Sequence, residues 1–164
     1  MKSKLLAAVA LLGMLAAGPA QAQKKYAPGI TDSEIKFGQT FALSGPASAY
    51  GTIARVQAAY FKMLNEQGGV NGRKLELVTL DDAYSPPKTV EQVRRLVERD
   101  QVAFIFNILG TAPNVSVRKY LNDRKIPQLF TAAGASTFGD HKSFPWTIVL
   151  QPSYVDEARI YVEY

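Results

Sequence analysis

The chain has 164 residues, a formal net charge of +5 and no cysteine. The lack of thiols excludes disulfide bridges, thiolate metal sites and a lipid anchor attached to a cysteine at an export cleavage site. Basic and acidic residues are interspersed, which argues against the clustered basic face of a nucleic-acid-binding protein. This length suits one domain with a hydrophobic core.

Residues 1–22 have the pattern of a signal peptide. Lys2 and Lys4 form a basic start, residues 5–17 are an apolar run, and residues 20–22 read Ala-Gln-Ala, the small-x-small pattern of a cleavage site. The apolar run is shorter than the ~20 residues that cross a bilayer.

The signal-peptide pattern divides the chain into three predicted segments. We predict cleavage after Ala22 and release into a bacterial periplasm. Residues 23–33 would then be a polar lead-in, and residues 34–164 would be the folded domain.

The first element of that domain is a strand that feeds a helix. Residues 35–43 alternate and then run apolar, and Ser44-Gly45-Pro46 breaks the strand. Apolar side chains then recur at helical spacing until Gly68-Gly69, which suits a helix end. The recurring side chains are Ile53, Val56, Tyr60 and Leu64. The sequence thus predicts the opening of a βαβ unit.

The rest of the chain repeats this plan. Further strands are predicted near residues 75–80, 102–107, 127–131 and 146–150, and further helices near residues 88–99, 115–123 and after Ser153. Ser85-Pro86-Pro87 is a helix entry, Asn71-Gly72 is a turn, and Ser153 with Asp156 resembles a capping box. Alternating strands and helices with short connections indicate an α/β fold, a parallel sheet covered by helices on both faces.

Three loops of small residues follow the first, third and fourth strands. They are Ser44-Gly45-Pro46, Gly110-Thr111-Ala112 and residues 132–136. In a parallel sheet these loops emerge on the same edge, where bare backbone N–H groups and helix N-termini suit a carboxylate or another small anion. The alternative is that small residues merely permit tight turns.

The candidate ligand-binding residues come from these loops and their surroundings. They are Ser44, Tyr50, Gly110, Thr111, Ala132, Ala133, Gly134 and Ala135. Tyr50 would lie beside the crevice or be a half-buried aromatic with a solvated hydroxyl. Phe41 and Phe130 end strands at the same edge, and core packing is the preferred role for both.

Catalytic and metal-binding patterns are not found. Asp81-Asp82 is the sharpest acidic pair, and a cap for the next helix is the preferred role over a phospho-acceptor pocket. His141 is the one histidine and lies in a polar, solvated stretch, so a typical zinc site is excluded. No phosphate-binding loop or nucleophile elbow is present. We therefore predict neither an enzyme nor a cofactor.

Five stretches carry a resemblance to a known family. They are SGPASAYG at residues 44–51, LNEQGGVNGRK at 64–74, LDDAYSPPKTVEQVRRLVE at 80–98, IPQLFTAAGAS at 126–136 and FPWTIVLQPSY at 144–154. In order and spacing the chain resembles the periplasmic leucine/isoleucine/valine-binding proteins, which serve branched-chain amino acid ABC transporters. The resemblance implies a type I periplasmic-binding fold of two lobes joined by a hinge. Residues 34–164 would be a truncated N-terminal lobe, with the second lobe missing.

The resemblance also implies residue roles. The ligand's α-carboxylate would be held by the loops that match Gly110-Thr111 and residues 132–134, and Tyr50 matches a tyrosine that lines the family's site. Two hydroxyl positions differ, because Gly110 replaces a carboxylate-binding serine and Gly134 replaces a threonine. Thr111 is a neighbouring hydroxyl that could substitute.

Tyr84 and Leu109 stand where some members carry a cysteine pair. In the family the ligand's ammonium group is bound by an acidic residue of the second lobe. We therefore expect residues 34–164, without the second lobe, to bind the ligand very weakly.

The function implied is capture of a small carboxylate-bearing solute, a branched-chain or related amino acid, and its delivery to an ABC permease in the inner membrane. The protein would act as a monomer without nucleic acid. The lost hydroxyls leave a same-fold binder of aromatic acids, amides or urea as an alternative. A ligand sensor feeding a signalling partner is another.

Overall fold

Five parallel strands alternate with four helices along residues 25–164, the part of the chain that this computed structural model describes. They are β1 Glu34–Phe41, α1 Gly51–Glu66, β2 Lys74–Asp81, α2 Pro86–Glu98, β3 Ile105–Phe106, α3 Thr111–Asp123, β4 Gln128–Thr131, β5 Thr147–Val149 and α4 Tyr154–Glu163. The strand order is β2-β1-β3-β4-β5, and every pair is parallel. The predicted α/β fold is confirmed, whereas the predicted signal peptide lies outside the described residues.

Helices α2 and α3 pack side by side on one face of the sheet, which we call the closed side. Seven fully buried apolar side chains form its core. They are Val93, Leu96, Val102, Ile105, Ile108, Val117 and Leu121. α2 begins at Pro86 after Ser85, as the proline pair predicts, and this start turns Val93 and Leu96 towards the sheet. These residues form the core cluster between the sheet and the two helices.

The other face of the sheet, the open side, is covered by α1 only in part. The Phe61 ring meets the rings of Phe37 and Phe106 edge to face, with centroids 5.1 and 5.7 Å apart. Beyond α1, Phe130 on β4 and Ile148 on β5 remain 42% and 49% exposed. Core packing of Phe130, the preferred expectation, is therefore wrong, whereas Phe41 is fully buried as expected.

The α1 helix exists as predicted, but its spaced apolar residues do not form its buried face. Ile53, Val56 and Tyr60 are 41%, 63% and 53% exposed. The packed face instead runs through Ala54, which is buried, and Phe61. The Phe61 ring fits between the strand phenylalanines, and this contact sets the rotation of the helix about its axis.

Strand β3 is shorter than the predicted 102–107, although its hydrogen bonding to β1 begins earlier. The amide of Ala103 donates to the Lys36 carbonyl over 2.8 Å. The strand ends because Asn107 has a left-handed backbone with φ 48°, and Phe130 on β4 has φ 58° beside a register shift. The Asn107 side-chain amide donates to the Phe130 carbonyl over 2.6 Å, so the two irregularities are coupled.

Arg118, a buried arginine of α3, contacts the irregular segment 132–146 between β4 and β5. The Arg118 guanidinium donates to the Thr137 carbonyl over 2.7 Å and lies 4.0 Å from the Phe144 ring centroid. Burial lowers the pKa of Arg118. At the amino end of β5, the Trp146 carbonyl accepts from the Gln128 amide over 2.8 Å.

A predicted helix end, a predicted turn and a predicted helix start are confirmed. The Gly69 amide closes α1 by donating to the Leu64 carbonyl over 2.8 Å. Asn71 and Gly72 both have positive φ, 50° and 75°, as a primed turn requires. The Ser153 hydroxyl accepts from the Asp156 amide at the start of α4.

Across residues 25–164, none of the helices has the length and apolar character required for a membrane span.

Candidate functional site

The topology brings the three small-residue loops to one edge of the sheet. Strands β1, β3 and β4 are neighbours and run parallel. The loops that begin at Ser44, near Gly110 and at Ala132 therefore all leave the carboxyl edge, where open α/β sheets bind ligands.

A cleft of about 570 Å³ opens at this edge. Three of the predicted residues line it: Tyr50, Gly110 and Ala132. The other lining residues come from α1, from the loops after β1, β2, β3 and β5, and from the start of α4. They are Ala47, Ile53, Gln57, Tyr84, Asn107, Leu109, Leu150, Gln151 and Tyr154. No side chain in this lining is charged, so the described chain meets a bound solute with aromatic, aliphatic and neutral polar groups.

The remaining predicted residues lie around the cleft rather than in its lining. Gly134 and Ala135 line a smaller neighbouring pocket of about 300 Å³. Ala133 is fully buried. Thr111 is the first residue of α3, and Ser44 is exposed in the loop after β1.

The donors of the Ser44 loop hold a carboxylate of the chain itself. The Ser44 hydroxyl donates to Asp81 over 2.5 Å, and the amides of Leu43, Ser44 and Ala83 donate to the same carboxylate over 2.9, 3.2 and 3.0 Å. These bonds, the Ser44 hydroxyl foremost, lower the pKa of Asp81. These donors are therefore occupied by Asp81, and a role for Ser44 in binding a solute stays a prediction.

Asp82 fixes the loop that carries Tyr84. Its carboxylate accepts from the Tyr84 amide over 2.9 Å and from the Thr89 hydroxyl over 2.9 Å. Ser85, not Asp82, occupies the N-cap position of α2, so Asp82 fastens the helix by a side-chain contact rather than by capping its amides. Ala83 and Tyr84 both have left-handed backbones, with φ of 50° and 59°.

Gly110 is required by both its backbone and its neighbour. It has φ 86° and ψ 158°, a conformation that favours glycine. A Cβ at this position would lie 2.4 Å from the Tyr84 hydroxyl oxygen. Its amide donates to the Ala132 carbonyl over 3.0 Å. The donors left for a ligand are the first amides of α3, on Thr111 and Ala112, since helix geometry gives them no intrahelical acceptor.

Gly134 is covered in the same way. A Cβ there would lie 2.7 Å from a ring carbon of Tyr154, and the Tyr154 amide donates to the Gly134 carbonyl over 2.7 Å. Sequence reasoning missed Tyr84 and Tyr154 as site residues. The signal that could have found them is the pair of family departures at Gly110 and Gly134, because a ring can occupy the space that a missing side chain leaves.

Four of the seven non-glycine residues with positive φ in the described chain lie at this edge. Ala83, Tyr84, Asn107 and Phe130 all have positive φ, and each such residue costs about 1–3 kcal/mol outside glycine. Gln57 donates to the Asn107 side-chain oxygen over 2.7 Å and so supports one of them from α1. Such strain is typical of ligand sites, which agrees with the position of the cleft.

Comparison with known proteins identifies the family. Residues 34–164 match the model of the periplasmic binding proteins. The leucine-, isoleucine-, valine-, threonine- and alanine-binding protein of Pseudomonas aeruginosa is 36% identical over 72 residues, 43% of this chain and 19% of that protein. Leu/Ile/Val-binding protein homolog 3 of Brucella melitensis is 29% identical over 95 residues, 57% of this chain and 26% of that protein.

A solved structure gives the same result. The possible leucine/isoleucine/valine-binding protein of Rhodopirellula baltica superposes with a TM-score of 0.72 at 25% identity, covering 86% of this chain and 37% of its own. The chain thus spans about a quarter or less of the curated relatives and about a third of the solved one. As its likeness to leucine/isoleucine/valine-binding proteins predicted, the chain belongs to the periplasmic binding protein family, a family of solute-binding proteins.

Proposed function

We propose that the protein captures a small carboxylate-bearing solute, a branched-chain or related amino acid, outside the cytoplasm and delivers it to the permease of an ABC transporter. The observation that carries this proposal is the uncharged cleft at the carboxyl edge of the sheet, with the N-terminus of α3 beside it.

The chemistry of the cleft suits an anion held without a counter-charge. The amides of Thr111 and Ala112 are free donors at the start of a 13-residue helix, where the helix dipole favours negative charge. Gly110 allows the backbone to enter the helix at the cleft wall. The lining contains no acidic group, so an ammonium group of the solute would be bound by another part of the protein.

Binding without catalysis fits the same lining. Among the described residues, the side chains that line the cleft include no histidine, lysine, aspartate or glutamate that could act as a base. Closure of a hinge between two lobes would follow from the solute's higher affinity for the closed state. We further propose that residues 1–22 are a signal peptide cleaved after Ala22, that the protein acts in the periplasm and that it is a monomer.

The names of the relatives support the solute class, since each refers to branched-chain amino acids. The chain spans only a minor part of those proteins. The solute and the transport partner of this protein are therefore proposed from the likeness and not established by it.

The test is solute binding by the protein encoded in the full reading frame. Thermal unfolding is followed with leucine, valine, benzoate, acetamide and urea. A carboxylate at about 100 times its Kd should add about 2.7 kcal/mol to the stability. No rise with any carboxylate would contradict the proposal.

A pair of variants tests the anion site. Thr111→Pro removes one amide donor at a helix position that tolerates proline, and it should weaken binding of the carboxylate. Thr111→Ala removes the hydroxyl but keeps the amide, so it is the matched control and should retain the affinity. Equal affinity of both variants would exclude the Thr111 amide.

A further inference from the structure

We propose that Asn65 prevents the outer edge of the sheet from pairing with a second copy of the chain and so keeps the protein a monomer. This inference rests on the proposed monomer and is independent of the solute that is bound. It concerns β2, the outermost strand of the sheet on the side away from β5. A strand in that position offers unpaired backbone groups to any other chain.

The backbone groups of β2 point alternately towards β1 and out of the sheet. The Lys74 amide donates to the Ser33 carbonyl, directly before β1, over 2.8 Å. Lys74 and the other even-numbered residues of β2 therefore face β1, since successive residues of a strand bond to opposite sides. The odd-numbered residues Leu75, Leu77 and Thr79 direct their amides and carbonyls outwards, and we call these groups the free edge.

Asn65 of α1 bonds to the first residue of the free edge as a neighbouring strand would. Its side-chain oxygen accepts from the Leu75 amide over 2.8 Å, and its side-chain amide donates to the Leu75 carbonyl over 2.9 Å. An asparagine side chain carries the same donor and acceptor as a peptide group. Asn65 follows Phe61 by one helical turn, so the packing of that ring against the sheet also directs the asparagine at β2.

The rest of the free edge is open. Within residues 25–164, no hydrogen bond reaches the outward amides of Leu77 and Thr79. A cleft of about 630 Å³ extends along α1 and residues 74–77, so the described chain leaves room beside this edge. From Leu75 to Leu80 the edge would have the length of an ordinary strand, about 5–6 residues, and Asn65 closes the start of it.

The two ends of β2 favour a second copy of the chain as the partner that Asn65 excludes. The strand begins at Lys74 and ends at Asp81, and both residues are exposed. Antiparallel pairing of two copies would bring the lysine of each beside the aspartate of the other, because the two strands run in opposite directions. Without Asn65, this charge pairing and the newly freed groups of Leu75 would act together.

The experiment measures self-association of the protein from the full reading frame, without solute. Asn65→Ala frees the Leu75 amide and carbonyl. Sedimentation velocity from micromolar to millimolar concentration should show its mass rise to twice that of the monomer, whereas the wild type keeps the monomer mass. Asn122→Ala is the matched control and should also stay a monomer, because it removes an asparagine bond to a backbone carbonyl, that of Ser143, outside β2.

A charged variant separates release of the edge from loss of stability. Asn65→Asp keeps an acceptor for the Leu75 amide, loses the donor to the Leu75 carbonyl and places a negative charge at the edge. Charge at an edge strand opposes pairing with another strand. Asn65→Asp should therefore stay a monomer although it is destabilised. Dimers of Asn65→Asp as abundant as those of Asn65→Ala would contradict the edge as the cause.

Amide hydrogen exchange tests the contact in the wild type. The Leu75 amide should exchange at least about tenfold more slowly than the Leu77 amide, although both point out of the sheet. In Asn65→Ala, the Leu77 and Thr79 amides should become protected as the concentration rises. If Asn65→Ala does not fold, the wild-type comparison decides alone.

The outcomes that would overturn the inference are independent of solute binding. They are equal exchange of the Leu75 and Leu77 amides in the wild type, a folded Asn65→Ala that stays monomeric, a dimer in which Leu77 remains unprotected, and a wild type that dimerises with Leu77 protected. Each would leave solute capture intact, since that proposal is tested by binding. Failure to bind any solute would in turn leave the role of Asn65 intact.

Discussion

The two faces of the sheet differ in how far their apolar side chains are covered. On the closed side, Leu96 of α2 and Ile105 of β3 are fully buried. On the open side, Val56 of α1 and Ile148 of β5 are exposed by 63% and 49%. Since hydrophobic stabilisation follows the apolar area removed from water, truncating the buried side chains of the closed side should cost more than truncating these exposed ones.

The comparison of α1 with α2 also shows that helical periodicity predicts a helix but does not always predict its buried face. Both α1 and α2 have apolar residues at helical spacing, and both form helices. In α2 the spaced residues Val93 and Leu96 are the buried ones, whereas in α1 Val56 and Tyr60 are mostly exposed. Periodicity therefore predicts the helix, and the fit of one aromatic ring decides which stripe of α1 packs.

The largest expected effect is a truncation on the closed side. Leu96→Ala removes a fully buried side chain and should lower the free energy of unfolding by roughly 2–5 kcal/mol. Ile148→Ala, the matched change on the open side, should cost less than about 1 kcal/mol. Urea unfolding followed by circular dichroism measures both. Similar losses would mean that the open side is covered in solution.

A second, smaller effect should come from the arginine that extends the closed side towards β5. Arg118→Met keeps the apolar stem but removes the donor to the Thr137 carbonyl and the charge stacked on Phe144. We expect a loss of about 1–3 kcal/mol, the cost of leaving buried partners unpaired. The neighbouring Lys119→Met is the control, because its side chain is 81% exposed. The interpretation fails if both variants unfold at the same urea concentration.

The smallest effect should be the pH dependence of the Ser44 loop. Hydrogen bonds, first that of the Ser44 hydroxyl, lower the pKa of Asp81 in the folded state. A lowered carboxylate pKa adds stability above its unfolded value, near 3.9, and this stability is lost as the pH falls through the folded value. Because Asp81 is exposed, we expect less than about 1 kcal/mol.

The measurement compares urea midpoints at about pH 7, well above the unfolded pKa, and about pH 3, below it. Asp81→Asn should lose part of the difference between the two midpoints, and Ser44→Ala should reduce it by weakening the main hydrogen bond. An unchanged difference in Asp81→Asn would assign the acid sensitivity to other carboxylates.

Much of the fold could be predicted because local chemistry decides it. The glycine pair after α1, the prolines that open α2 and the serine before α4 each satisfy or remove backbone groups at a helix end. These residues act within one turn of the chain, so their effect is visible in the sequence. Because strands and helices alternate along the chain with short connections, the strands are expected to be parallel.

The departures come from contacts between distant segments. Strand β3 stops early because the Asn107 side chain bonds to the Phe130 carbonyl, 23 residues later. Phe130 is left exposed by the same irregularity. Two members of the cleft, Tyr84 and Tyr154, reach it from the loop after β2 and from α4. Loop composition predicted the edge at which solute would bind, and it could not predict rings that arrive from elsewhere.

The position of the single tryptophan gives the molecule an optical reporter. Trp146 precedes β5 at the amino edge and is bonded through its carbonyl to the Gln128 amide. The three cleft tyrosines lie at the opposite edge. Selective excitation of the indole would therefore follow the melting of the outermost strand at a position remote from the cleft. The cleft tyrosines are three of eight in the chain, so they would add only part of any change in phenol emission on solute binding.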